Sequence, residues 1–409
     1  MGYLELDVSI SDEAKAMHEL AKKFGDEIMR PAGIELDKLP DPADVIAPAS
    51  VLWDVFKRYR ELGFHKTGLP KALGGMQEDV ERSATIMIGE EMGYADAGLA
   101  ISLGVSVMPF YLAALSPEPE LQDLVRAYCD DTEANLIGCW AITEPDHGSD
   151  WILAAQPGFD NPKIYPSCKA VLKGDEYIIS GQKAAWVSNG NIATHASLHV
   201  SLDSSKGMQG TGIAVVPLDL PGVTRGKPLD KIGQRALNQG EIFFEEVKIP
   251  KKYMVVPDPT ASTAIAQMIL TAANGSMGVT FSGLAQAAFD EALQYAKERV
   301  QGGVPIIDHQ NIKLKLFKMF TMVESARAYA RRMAYYNAAV QPGSLRHAIA
   351  AKILSTETAF QVASEAIQIF GGNGLTKEYV IEKIFRDARA AMIEDGVNES
   401  LAIAGANEL

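Results

Sequence analysis

Apolar side chains recur at intervals of three and four near the start of the chain, in Ala14, Met17, Leu20, Ala21 and Phe24 and again in Val51, Val55 and Leu62. That spacing lines one face of an α-helix, so residues 11–135 predict a run of helices. Proline and glycine cluster where those helices should stop, at 40–42, 68–75 and 117–119. From 136 to 250 the helical period is lost. Short runs rich in branched and aromatic residues, at 176–183, 196–202, 211–217 and 241–250, read as strands separated by glycine or Asp-Ser turns. Helical spacing then returns in long stretches, from 261 to about 299, from about 309 to 339 and from 344 to 370. Gly-Gly-Asn-Gly at 371–374 ends the third as a cap and turn. A shorter helix runs to about 389, before a loop around Asp395 and Gly396. The order predicts an α+β chain, mostly α: a helical domain over 1–135, a β domain over 136–255 and a second helical domain over 256–409. It is not the βαβ alternation of a doubly wound sheet, so no Rossmann domain is expected.

Composition narrows the function. With 47% hydrophobic and 22% charged residues, the 409-residue chain falls in the globular range and outside the disordered and collagen-like classes. A formal net charge of −14 argues against a nucleic-acid partner, which would need a basic face. Any anionic ligand must be held by local donors. The three cysteines, Cys129, Cys139 and Cys168, are far apart and in no metal-binding spacing, which fits a reducing compartment. The acidic N-terminus lacks a basic region leading into an apolar run, and no uninterrupted apolar stretch approaches membrane-spanning length. A cytoplasmic protein with no membrane span is expected.

Several chemical signals are weak. His195 and His199 would share one face of a strand but lack a third ligand, so no metal site is assigned. Arg327, Arg331 and Arg332 read as a solvated helix face, and the glycines at 371–374 follow a helix rather than a strand. The run from Trp140 to Asp150 is stronger. It opens the β segment with Thr143, a Glu-Pro pair and a Gly-Ser-Asp turn. Gly148 lets backbone approach a ligand closely, Thr143 and Ser149 supply hydroxyls, and turn amides can meet an anionic or carbonyl oxygen. A second cluster, at 181–190, puts the aromatic plane of Trp186 and the hydroxyl of Ser188 at a strand end.

These strings resemble those of the acyl-CoA dehydrogenase family, over nearly the whole chain. The family's TEPxxGSD is similar to Thr-Glu-Pro-Asp-His-Gly-Ser-Asp at 143–150, and its NGxKxWITNG to the segment 180–190. Its KLGxR…FxxVxVP strand resembles 231–235 through 244–250. C-terminal signatures follow at 295–299, His309 and Gln310, 368–374 and 386–389. The resemblance implies a middle β-barrel and a C-terminal four-helix bundle, a homotetramer, FAD as cofactor, an acyl-CoA substrate and electron-transferring flavoprotein as acceptor. Carried over by position, flavin contacts fall on Trp140, Ile142, Thr143, Gly148, Ser149, Trp186 and Ser188. From an adjacent chain, Arg299, Gln310, Gln368, Gly371 and Gly372 would hold the pyrophosphate and adenosine half, with Arg299 suited to phosphate. Ser149 and Gly396 fall at substrate positions.

The family removes a proton α to a thioester carbonyl and passes the β-hydride to the flavin. In most members the base is a Glu in an IYEGT loop; here the loop reads Ile-Glu-Asp-Gly-Val at 393–397. Counting from Arg386 and Asp387 places Asp395, not Glu394, at the base position, with Gly396 matching the family glycine. The family's other base position falls on Ala273, which cannot act. Asp is shorter than Glu by one methylene, about 1.5 Å of reach, which points to a branched or cyclic acyl group. The alternative is that Asp395 only caps the last helix. Further departures are Thr271 and Asn274 where the family has CoA-contacting Asp and Arg, Gly302 for Phe, Val397 for Thr, and a longer stretch at 151–173. Two rival readings remain. Nitroalkane oxidases resemble this chain in an Asp base and a Gly-Gly pair before Ile-Ile-x-His-Gln, but their partner Arg and Ser positions hold Ala402 and Ala273. A non-catalytic FAD-binding member is the other.

Overall fold

A computed structural model describes residues 5–153 and 156–409. Residues 1–4 of the acidic N-terminus and 154–155 of the long stretch after Asp150 lie outside the described residues. The first helices are α1 (Asp12–Phe24), α2 (Arg30–Asp37), α3 (Pro42–Val45), α4 (Leu52–Glu61), α5 (Arg82–Ala95), α6 (Ala97–Val105), α7 (Met108–Ala114) and α8 (Pro119–Asp130). Ser11 caps α1 by accepting the Ala14 N–H at 3.0 Å, and the apolar stripe beyond it puts Ala14, Ala21 and Phe24 inside. The window Ala97–Ala114 is, against expectation, long and apolar enough to cross a membrane by length and composition. It is divided between α6 and α7, and 56% of it is buried, as in a core segment.

Eight strands follow: β1 (Gly138–Ala141), β2 (Lys169–Lys173), β3 (Glu176–Ser188), β4 (His195–Ser201), β5 (Thr211–Pro217), β6 (Val223–Arg225), β7 (Gln239–Pro250) and β8 (Met254–Val256). They form one mixed sheet in the order β6-β7-β3-β2-β4-β5-β8, with β1 parallel to β4. The sheet curls around a single core. Cys139, Ala170, Ile179, Leu198, Val216, Phe244 and Met254, from seven of the strands, pack into the same cluster. On β4 the alternation sends Ala196, Leu198 and Val200 into that core, and His195, Ser197 and His199 to the other face.

The last part contains α9 (Pro259–Glu298), a two-residue ladder of β9 (Val300–Gln301) and β10 (Val304–Pro305), α10 (Gln310–Ala339), α11 (Leu345–Phe370), α12 (Ile381–Ala391) and α13 (Asn398–Ala406). The helix α9 starts at Pro259, two residues earlier than the apolar period suggested, because Asp258 caps it by accepting the Thr260 N–H. Helices α9, α10, α11 and α12 share one core of mainly alanine, isoleucine and phenylalanine side chains, the four-helix bundle. Between α5 and α9 two glycines allow backbone contact. A Cβ on Gly93 would lie 1.9 Å from the Thr280 carbonyl oxygen, and one on Gly283 2.0 Å from that of Glu90. The same α5 face corrects one expectation. Arg327 and Arg331 are buried rather than solvated, and Arg331 holds Glu90 through Nε at 2.8 Å and Nη2 at 2.6 Å.

Candidate active site

The turn between α12 and α13 carries Asp395 and Gly396 in left-handed backbone, φ 50° and 103°. Asp tolerates that region better than most side chains, and Gly costs nothing there. The turn is pressed against the segment after the Gly-Ser-Asp motif. A Cβ on Gly396 would lie 2.7 Å from Ile152 Cδ1, and the Val397 N–H points at Ser149 Oγ, 3.4 Å away. Ser149 and Gly396, expected to share a substrate, therefore adjoin. The Asp395 carboxylate accepts no hydrogen bond from any described residue. Burial raises its pKa, opposed by the Lys352 ammonium. It does not cap α13, whose N-cap is Val397 with no side-chain hydrogen bond.

Polar contacts connect this turn to the β domain. Gln234 Nε2 donates to Glu394 Oε2 at 2.7 Å. Burial raises Glu394 to about 7, against the pull of the Lys231 charge and that hydrogen bond. Lys231, lowered to about 8 by burial, donates to the Leu237 carbonyl at 2.7 Å and to Gln239 Oε1 at 2.8 Å. Gln239 Nε2 in turn donates to Ser188 Oγ at 3.2 Å and the Trp186 carbonyl at 3.4 Å. The turn after α12 and the Trp186–Ser188 strand end are thus both tied to the loop before β7 and its first residue, Gln239. Sequence reasoning missed Glu394, Gln234 and Gln239 as members of this chain, although Lys231, Gln234 and Glu394 lay inside strings it had singled out.

The first motif is fixed by a buried ion pair. Glu144 accepts Lys183 Nζ at 2.7 Å and the Ser167 and Cys168 N–H groups at 2.5 and 3.2 Å, while Lys183 also donates to the Ile142 carbonyl at 3.0 Å. Neither side chain is exposed. The Gly148 N–H, expected to face a ligand, donates instead to Asp150 Oδ1 at 2.7 Å. Its Cα side remains open, with nothing within 4 Å of a Cβ placed there. Trp140 and Ile142 line a cavity with Trp151, His199, Ala266 and Leu270.

Trp140 Nε1 donates to His199 Nε2 at 3.0 Å, which keeps that nitrogen unprotonated. Burial, with help from the Lys183 charge, lowers His199 from 6.5 to about 3. The unfolded chain therefore binds a proton there that the folded chain does not, so stability falls as pH drops from about 6.5 towards 3. The slope is about 1.4 kcal/mol per pH unit for one such histidine well below 6.5. His199→Gln, which still accepts from Trp140 but cannot titrate, should lose less thermal stability between pH 7.5 and 5 than the parent. Superimposable melting-temperature profiles for the two would refute this.

An aromatic face and open glycines suit a flavin. The Trp186 ring is 58% exposed at the end of β3, an unusual position for an unpartnered tryptophan. Its neighbour Ser188 and the half-buried Thr143 flank it on the same strand-end surface, Thr143 O accepting the Ala184 N–H at 2.9 Å. The second group of expected contacts lies elsewhere. Arg299, Gln310, Gln368, Gly371 and Gly372 are all exposed, at the end of the bundle where Tyr295 stacks on Phe370 at 3.9 Å. Gly371, at φ 62°, and Gly372 have nothing within 4 Å of a Cβ position. From Leu270, at the cavity beside Trp140, to Arg299 is 29 residues along α9, roughly 40 Å at the helical rise. Within one chain the two groups are not brought together.

Models of the acyl-CoA dehydrogenase N-terminal, middle and C-terminal domains match residues 11–132, 139–247 and 263–409. A probable acyl-CoA dehydrogenase, YngJ of Bacillus subtilis (strain 168), is 30% identical over 411 residues, covering 99% of this chain and 100% of its own. The chain belongs to the acyl-CoA dehydrogenase family. The mitochondrial short-chain specific acyl-CoA dehydrogenase of Rattus norvegicus is 29% identical, covering 97% of this chain and 90% of its own. Butyryl-CoA dehydrogenase from Megasphaera elsdenii superimposes with a TM-score of 0.85 at 26% identity, over 98% of this chain and 99% of that one. Acyl-CoA dehydrogenases are FAD-dependent oxidoreductases acting on acyl-CoA thioesters, and this chain is one of them. The uncovered Trp186 ring, the hydroxyls beside it and the open glycines fit that cofactor.

Proposed function

We infer that the chain removes an α-proton from an acyl-CoA with Asp395 as the base. One observation carries this: a half-buried carboxylate with no hydrogen-bond donor among the described residues sits in a left-handed turn whose Val397 N–H meets Ser149. A carboxylate that burial pushes up and that no side chain holds is suited to taking a proton. The Asp395 and Gly396 N–H groups donate to nothing among the described residues, so the same turn offers donors to the thioester oxygen as charge builds on it. Bound FAD would accept the β-hydride, held by Trp140, Ile142, Thr143, Gly148, Ser149, Trp186 and Ser188, with Arg299, Gln310, Gln368, Gly371 and Gly372 of an adjoining copy on its other half. The exposed Leu314, Phe317 and Phe320 on α10 support assembly of copies, as a homotetramer. Electron-transferring flavoprotein is the acceptor proposed.

The substrate class follows from reach. With about 1.5 Å less side chain than Glu and its turn packed at Gly396 against Ile152, Asp395 requires the α-carbon to come closer. A branched or cyclic acyl group, wider at that carbon, meets this need better than a straight chain. Anaerobic bleaching of the flavin by straight, branched and cyclic acyl-CoAs is the test, with fastest bleaching expected from the branched or cyclic set. Fastest bleaching by the straight-chain series would overturn the substrate class. No bleaching by any of them would overturn the dehydrogenation reading.

A further inference from the structure

Lys352 lies in the middle of α11 with no exposed surface, an expensive place for an ammonium. The two acceptors its ammonium meets identify what it is for. Nζ is 2.8 Å from the Gly396 carbonyl oxygen and 2.7 Å from Asn398 Oδ1. Asn398 is itself fixed, its N–H on the Met392 carbonyl at 3.0 Å and its Nδ2 on Thr356 Oγ1 at 3.1 Å. Thr356 Oγ1 returns to the Lys352 carbonyl at 2.9 Å, closing a ring of contacts between α11 and the turn. Gly396 directly follows Asp395, so Lys352 holds the peptide on the far side of Gly396 and anchors the turn one residue beyond Asp395.

We propose that Lys352 is the positioning residue of the reaction, clamping the left-handed turn so that the Asp395 carboxylate is aimed and kept ionised. The proposal rests on the reading of Asp395 as base. The charged groups bearing on this cation are Asp395 and Glu394 in the turn, Glu399 on α13 and Glu357 on α11. All of them favour its charged form against the burial that lowers it to about 8. Toward Asp395 the effect is reciprocal: the ammonium is the one charge that favours its carboxylate form. Glu394 also feels Lys231 across the turn. Misplacing a catalytic group by about 1 Å costs on the order of a hundredfold, and the shorter Asp leaves little slack.

The experiment compares anaerobic flavin reduction by the best acyl-CoA in the parent, Lys352→Met and Asp395→Asn, each as the FAD-loaded enzyme and across pH 5–9. Lys352→Met should bind FAD, reduce at least tenfold more slowly at every pH, and move the acid limb of the rate profile to higher pH, because Asp395 loses its counter-charge. A parent-like rate and acid limb in Lys352→Met, with Asp395→Asn inactive, would overturn the Lys352 assignment alone. Parent-like reduction by Asp395→Asn would overturn the base reading, and this inference with it. If Lys352→Met does not accumulate as yellow protein, Lys352→Arg replaces it. That variant keeps the charge but cannot place one nitrogen between the two oxygens. It should slow reduction at least tenfold with the acid limb in place, and a parent-like rate would overturn the proposal.

Discussion

Asp395→Asn is expected to remain yellow and to lose flavin reduction by acyl-CoA by a factor of about 10²–10⁴, the range a positioned general base supplies. The substitution is unusually clean here. Asn is isosteric with Asp and accepts left-handed backbone nearly as readily, so φ 50° at this position should survive. No described residue donates to the carboxylate, so no hydrogen bond is broken. The change also removes an ionised group that burial disfavours, so melting temperature should hold or rise. Stopped-flow reduction together with the flavin absorbance spectrum measures both halves. A variant that is reduced at the parent rate removes Asp395 from the mechanism. One that cannot hold FAD would show that the turn, rather than the carboxylate, had been disturbed.

Lys383→Met should be the most damaging single change to stability. Lys383 Nζ is 2.6 Å from Asp96 Oδ2 and 2.6 Å from Asp387 Oδ2, and all three side chains are buried. Asp96 caps α6 by accepting the Leu99 N–H at 2.9 Å, and Asp387 accepts the Gln234 N–H from the loop before β7. One ammonium thus fastens the N-terminal helices, the β domain and α12 at a single point. Without it two buried carboxylates face each other, and breaking such a pair costs about 3–5 kcal/mol. For a chain of this size that lowers the melting temperature by roughly 4–6 °C. Adding Asp96→Asn should recover part of the loss. A melting temperature within a degree of the parent would show that the network does not hold the domains together.

The helical and β segments were legible because their periods differ and the punctuation is strong: Pro40 and Pro42 between helices, and the glycines after Phe370, where Gly371 does take up φ 62°. The left-handed turn after α12 was legible as a loop because Gly396 marks it, and Gly396 does take up φ 103°; Asp395 as the base there is our proposal. What could not be read were partners distant along the chain. Arg331 looked like a solvated side chain because nothing local reveals that Glu90 lies opposite it. Lys352 is one lysine in an alanine-rich helix, and its meaning exists only once Gly396 and Asn398 are folded against it. Trp186 could have been core, and only its surroundings show the ring uncovered. The long stretch after Asp150 read as an insertion, yet Trp151, Ile152 and Phe159 turn inward to pack with Leu270, Ile349 and Leu401.

The span of α9 has a genetic consequence. If the pyrophosphate-holding end of each chain serves its neighbour, a lesion at Arg299 starves the copy next door while leaving its own Asp395 sound. Coexpressing Arg299→Ala with Asp395→Asn chains should then rebuild some working centres from two dead parents, and heterozygous mixtures of parent and Arg299→Ala chains should suffer at sites that carry no mutation at all.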